Sequence, residues 1–249
     1  MSTIMQNYLT QVQKNLGYRA TWEPHRPMKI GTFGKIHQGI FSEYGHIDEF
    51  NIPYSIDKLK TNNQLAYKSE EKGSYVLKAK GEINPLFKNI STSESGLILV
   101  FKKENGIVFK IEGITYFNLK NKVELATEIA KLIPSGKWDP SFLIISETLQ
   151  AEKTSVLLSK KKNSELEIKC DFEIGIEKTN WADINLFGEV LRSQGMSLQF
   201  TTSSLTTPLF KLSRLKSKQL KTEKNRNNLP ADHPELLEID FDILEMQLA

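Results

Sequence analysis

Cysteine is nearly absent from this chain. Cys170 is the only one in 249 residues, which excludes an internal disulfide framework and any cysteine-rich zinc site. Histidine is scarce too: His25, His37, His46 and His233 fall into no His-x-x-x-His or Cys-His spacing. A metal centre built on neighbouring ligands therefore has no signature here. Long hydrophobic runs are also missing, the longest being residues 96–101, whereas a spanning helix needs roughly 18 apolar residues. The N-terminus mixes Gln6, Asn7, Thr10, Gln11 and Gln13 with its apolar residues, unlike the charged start and unbroken apolar run of a secretory signal. The expected location is cytoplasmic. The turn at Gly31 and Gly34 is followed by no Gly-Lys-Ser/Thr element, so no phosphate-binding loop is indicated.

What the chain does contain is an ordinary globular composition, 39% apolar and 25% charged, with an uneven distribution of charge. Over residues 209–228, Lys211, Arg214, Lys216, Lys218, Lys221, Lys224 and Arg226 stand against Glu223 alone, seven cations to one acid, or +6. From residue 229 onward Asp232, Glu235, Glu238, Asp240, Asp242 and Glu245 meet no Lys or Arg, giving −6. These two segments are electrostatic complements. They divide the chain into a β-rich main part (1–220), a polar linker (221–228) and an acidic amphipathic tail (229–249).

Periodicity supplies the elements. Ile4, Tyr8 and Val12 share one helical face ahead of Gly17, which predicts a short amphipathic helix over residues 2–15. Residues 52–72 are polar and aperiodic and read as a long loop. Two β-rich runs, 97–101 and 107–117, flank Asn105-Gly106 and predict a hairpin. Leu125, Ala126, Ile129 and Leu132 predict a helix, capped near Asn121 and ending before Pro134. Residues 142–146 and 154–159 read as separate strands. Past the polar turn 160–163, Leu166, Ile168, Cys170, Phe172, Ile174 and Ile176 alternate with charged residues, predicting an amphipathic hairpin over 154–177. The tail beyond Pro234 matches both periods, and the Asp232–Pro234 pair favours a helix. The expected fold is α+β: a twisted, mainly antiparallel sheet with two or three helices.

No nucleophile stands beside a base in the sequence, and Glu165, Glu167, Asp171 and Glu173 simply line one strand face. A non-enzymatic role without cofactor or metal is expected. Cys170 reads as a small buried hydrophobe. The alternation at Leu166, Ile168, Phe172 and Ile174 has two readings: one face on a soluble core, or lipid-facing side chains of a membrane strand of about 9 to 11 residues. Lys160, Lys161 and Lys162, with Lys211, Arg214, Lys216 and Lys218, are either solvated cations or contacts for the phosphates of lipid or nucleic acid.

The order of elements resembles the bacterial gasdermins, pore-forming proteins of antiphage defence. The resemblance runs through the N-terminal helix entering Leu16-Gly17-Tyr18, Pro24 to Pro27, the glycine-punctuated residues 28–41, the later alternating strands, and a short segment after a polar linker. It implies a β-rich body held inactive by its C-terminal segment until a protease cuts the linker. The freed body would then insert β-hairpins into the inner membrane as a homo-oligomer. Carried onto this chain, Lys224, Asn225 and Arg226 lie in the cleavable linker, and Leu236, Ile239, Ile243 and Met246 form the apolar face of the inhibitory tail. One departure concerns anchoring: those proteins commonly carry a lipidated cysteine near the N-terminus, and residues 1–7 here contain none. The alternative is a non-enzymatic binding module that uses the basic stretch for nucleic acid or a protein partner.

Overall fold

A computed structural model describes residues 3–69, 74–78, 96–169, 186–215 and 236–238. Within them lie two α-helices and antiparallel strands, an α+β fold as the sequence predicts. The chain divides into two units: residues 1–16, 62–114 and 151–206 form the first, and residues 17–61, 115–150 and 207–249 the second.

In the first unit, helix α1 (Thr3–Leu16) forms where the spacing places it, because Tyr8 and Val12 are one turn apart and both fully buried. Gly17 ends it in the left-handed conformation, φ +71°. Side chains fasten the helix to the unit: the Asn7 amide donates to the Asn105 carbonyl at 3.2 Å, and the Tyr67 hydroxyl donates to Gln11 Oε1 at 3.2 Å. Strand β5 (Gln64–Lys68) pairs with residues 108–112 of β8 (Ile107–Leu119). Strand β12 (Met196–Thr202) pairs with residues 154–159 of β9 (Leu143–Ser159). A separate sheet has the order β11 (Val190–Gln194), β10 (Ser164–Lys169), β7 (Gly96–Phe101), β6 (Ser74–Lys78). Leu99, Phe101, Val108, Leu157, Leu166, Ile168 and Leu186 make this unit's core cluster.

The second unit holds β1 (Arg19–Ala20), the hairpin of β2 (Thr32–His37) and β3 (Ile40–His46), a 3-10 turn (Ile47–Phe50), β4 (Ile56–Lys60), α2 (Lys122–Leu132), β13 (Thr206–Leu215) and β14 (Leu236–Glu238). Helix α2 buries Leu125, Ala126 and Ile129 against Ile30, Phe33, Ile47, Trp138 and Ile144. Leu125 and Ile129 each contribute about 1.5–3 kcal/mol when removed from water. Aromatic packing fills the middle, with Phe33 4.8 Å from Trp138 and 5.0 Å from Phe142, ring centre to ring centre. Asn121 precedes α2, yet its side chain does not cap it. Its Oδ1 instead accepts from the Ser55 N–H at 2.9 Å and tethers the 53–55 segment.

Several sequence-based expectations are corrected. Residues 52–72 are not a long loop, since β4 and β5 lie within them. Strand β4 is exposed throughout its length, so its ladder to residues 115–119 leaves no apolar period in the sequence. Residues 142–146 and 154–159 belong to one continuous strand, β9. The 97–117 hairpin does not form: β7 pairs with β6 and β10, while β8 pairs with β4, β5 and β9. Nor do residues 154–159 form a hairpin with β10, because they pair with β12. Both turn signals are real, Asn105 at φ 57° and Asn163 at φ 59°, but each turn carries the chain from one sheet to another. Finally, the tail at Leu236–Glu238 is a strand and not a helix; it pairs antiparallel with Ser213–Leu215 of β13.

Candidate functional site

The segregated strand on which the membrane reading turns is β10. Its burial alternates along its length: Leu166 and Ile168 are fully buried, while Glu165 and Glu167 are half-buried on the opposite face. The register sets Leu166 opposite Leu99 and Ile168 opposite Leu97 on β7, and sets Glu167 opposite Arg192 on β11. Unlike charges directly across an antiparallel pair favour that register. In this state the apolar face of β10 belongs to a protein core. Phe172 and Ile174, the outer pair of membrane candidates, and Cys170 lie outside the described residues.

The four-stranded sheet consists of two antiparallel pairs, β6 with β7 and β10 with β11, joined edge to edge between β7 and β10. Among the described residues its outermost strands are β6 and β11. A corner holds the two chain crossings together. Ser159 donates its N–H to the Gly106 carbonyl at 2.9 Å and accepts the Asn105 N–H at 3.1 Å on its carbonyl. Its hydroxyl accepts the Gly106 N–H at 2.8 Å and donates to the Lys103 carbonyl at 3.1 Å. One residue thus satisfies four backbone groups at the place where both β7 and β9 leave their sheets.

Sequence reasoning missed one cluster of this unit. Lys110 is 1% exposed, with its Nζ 2.8 Å from Glu112 Oε1 and 5.4 Å from the centre of the Phe187 ring. Lys153 reaches the same ring at 5.5 Å and Glu112 Oε2 at 3.3 Å. The available signal was a lysine inside the apolar run Ile107-Val108-Phe109-Lys110-Ile111, where a solvated charge has no business unless a partner meets it.

The described basic candidates are divided between the two units. Lys160, Lys161 and Lys162 sit exposed on the turn before β10, in the first unit. Lys211, in the second, lies 3.5 Å from Glu147 and 4.9 Å over the Tyr18 ring, whose hydroxyl also donates to Glu147. Arg214 stands opposite Leu237 on β14. Lys216, Lys218 and the linker residues Lys224, Asn225 and Arg226 lie outside the described residues, as do Ile239, Ile243 and Met246 of the tail. Leu236 is described: it is 5% exposed and packs in the cluster containing Leu125, Ala126 and Ile129.

The second unit also contains an open cavity of about 620 Å³, lined by Lys29, Glu43, His46, Asp48, Tyr54 and Phe117 among others. His46 spends both ring nitrogens on local structure. Nε2 is 2.8 Å from the Ile30 carbonyl oxygen, and Nδ1 is 3.0 Å from the Asp48 carboxylate and caps the Ile47–Phe50 turn. Burial, with the Asp48 charge adding to it, raises the Tyr54 hydroxyl above its ordinary value, so it stays a neutral donor. Elsewhere in this unit, burial lowers the Arg19 guanidinium to about 10, which leaves it charged near neutrality. Among the described residues no three His, Cys, Asp or Glu side chains converge as a metal site, and no helix is long and apolar enough to cross a membrane.

No protein-family model matches the sequence, and no curated protein does. Solved structures that the chain distantly resembles include a bacterial gasdermin from Bradyrhizobium tropiciagri. That likeness has a TM-score of 0.34 and 12% identity, and it covers 93% of this chain and 90% of that one.

Proposed function

We propose that this chain is a membrane-targeted pore-forming protein whose first unit supplies the membrane-entering hairpins and whose C-terminal segment restrains it. The observation that carries the reading is the segregation on β10: Leu166 and Ile168 wholly buried, Glu165 and Glu167 opposite them, in a sheet of two adjacent antiparallel strand pairs. Leucine and isoleucine are nearly as well accommodated by lipid as by a protein core, so a strand of this kind loses little on exchanging one for the other. Its charged face would then line a water-filled lumen. The described part of β10 is six residues long, and the alternation in the sequence runs on through Ile176, which reaches the about 9 to 11 residues that a membrane strand takes.

Backbone groups cannot be left unpaired in hydrocarbon, so hairpins from one chain must be completed by hairpins from others until the edges close. Strands β6 and β11, outermost among the described residues, are where such pairing would begin. Homo-oligomerisation belongs to the proposal for that reason. The tail enters it through β14, which pairs with β13 and sets Leu236 into the core cluster of the second unit. A cut within 221–228 would leave that strand held only by non-covalent contacts. The alternative binding module is supported less well, because Lys211 already serves Glu147 and Tyr18.

The test uses the full chain with a specific protease site replacing residues 224–226, mixed with dye-loaded vesicles of phosphatidylethanolamine and phosphatidylglycerol. Intact protein should release no dye and cut protein should release it. Absence of release after complete cutting overturns the proposal. Salt-dependent DNA binding by the same non-leaking product would favour the binding module, since phosphate contacts weaken steeply as salt rises.

A further inference from the structure

Strand β11 buries little of its own. Val190 is half-buried, residues 191–194 are exposed, and Leu191 shows 42% of its surface. Its ladder to β10 is interrupted by a register shift beside Ile168. An exposed edge strand held by a broken ladder opens readily unless something else fastens it.

The four residues before it supply the fastening. Leu186 is fully buried in the core cluster with Leu99, Leu166 and Ile168. The Phe187 ring lies within reach of two ammonium groups, Lys110 at 5.4 Å and Lys153 at 5.5 Å, while Glu112 meets both cations. Gly188 lies so close to β10 that a Cβ there would sit 1.8 Å from the Lys169 carbonyl oxygen, a distance only glycine permits. The Lys169 N–H then donates to the Glu189 carbonyl at 2.7 Å. Each successive residue makes a different attachment: core, cation, backbone contact, hydrogen bond.

We propose that residues 186–189 are a clasp that decides whether the β10–β11 hairpin stays on its sheet, with Phe187, shared between Lys110 and Lys153, as the releasable part. Leu186 is anchored by area and Gly188 by shape, and neither gives way without the rest. The aromatic contact is different: it depends on two cations and one carboxylate keeping their places, and Lys153 is half exposed to solvent. Cation–π contacts with a desolvated ammonium are the strong ones, and Lys110 is desolvated. When Phe187 lifts away, Lys110 gains access to water and the hairpin loses its cover in one step. The clasp is a property of the folded protein in water and holds whether or not the hairpin ever enters a membrane.

Hydrogen–deuterium exchange of the full chain in solution tests it without lipid. In Phe187→Ala the amides of residues 189–194 and of Lys169 should exchange about tenfold faster or more, while those of β2 and β3 keep their wild-type rates. Phe187→Leu, which keeps the apolar cover but not the ring face, should fall between. Unchanged exchange at 189–194, or equal acceleration in β2 and β3, overturns the clasp, the second because it signals global destabilisation. If Phe187→Ala fails to fold, Lys153→Met decides: selective acceleration at 189–194 supports the clasp and none overturns it. Vesicle leakage from the same variants is read separately, so a silent membrane assay with faster local exchange would sink pore formation and leave the clasp standing.

Discussion

Lys35 donates to the Asp139 carboxylate at 2.6 Å, and the Ser141 hydroxyl and N–H donate to it at 2.7 and 2.8 Å. These bonds, the lysine's first, hold the Asp139 carboxyl down at about 2. A carboxyl whose folded value is depressed contributes stability that is present above its unfolded value, near 4, and is lost as pH falls toward 2. The contribution is small because both side chains are substantially exposed. The titration itself is the sharper measurement. Carboxyl-carbon NMR should place the Asp139 midpoint near 2 in the wild type and clearly higher in Lys35→Met, and an unmoved midpoint would show that Ser141 alone suffices. At this same scale the sequence concealed Asn121, which looked like a helix cap and proves to hold the 53–55 segment. A cap and a tether require the same amide, and only the position of the neighbouring chain distinguishes them.

At the level of elements, the turns at Asn105 and Asn163 were legible and their consequences were not. A left-handed asparagine says that the chain reverses or bends, and it leaves open which strand comes alongside afterwards. Both bends prove to be crossings between sheets, and Ser159 pins the one at Asn105. Ser159→Ala removes the hydroxyl that serves Gly106 and Lys103 in a buried setting, where leaving such groups unpaired costs about 1–3 kcal/mol. Chemical denaturation should show that loss with little change in slope. A loss under a few tenths would mean that water replaces the hydroxyl. The exposed strand β4 escaped notice for the opposite reason. Its backbone is paired but no side of it is buried, so its sequence carries no period.

For the molecule as a whole, the tail connects charge pattern to tertiary structure. Leu236 lies in the cluster that contains Leu125, Ala126 and Ile129, and β14 extends the edge of β13. Leu236→Asp places a charge in that apolar cluster and should cost several kcal/mol in thermal or chemical unfolding of the full chain, on the order of a buried unpaired charge. If the tail restrains pore formation, the same variant should leak dye from vesicles without being cut. Unchanged stability would show that the cluster tolerates the loss of the tail strand. The sequence by itself determined the β-rich α+β class, the two amphipathic helices, the alternation at Leu166 and Ile168, and the opposed charges of residues 209–228 and 229–249. Each of these is a local property, fixed by residue spacing or composition within a short window. Only the tertiary structure decided that β7 and β8 part company, that the tail at Leu236–Glu238 is a strand, and that Lys110 is buried beneath Phe187. Those outcomes depend on partners far away in the chain, because strand pairing and the burial of a charge are settled by whatever neighbour competes best for the same edge or the same ion.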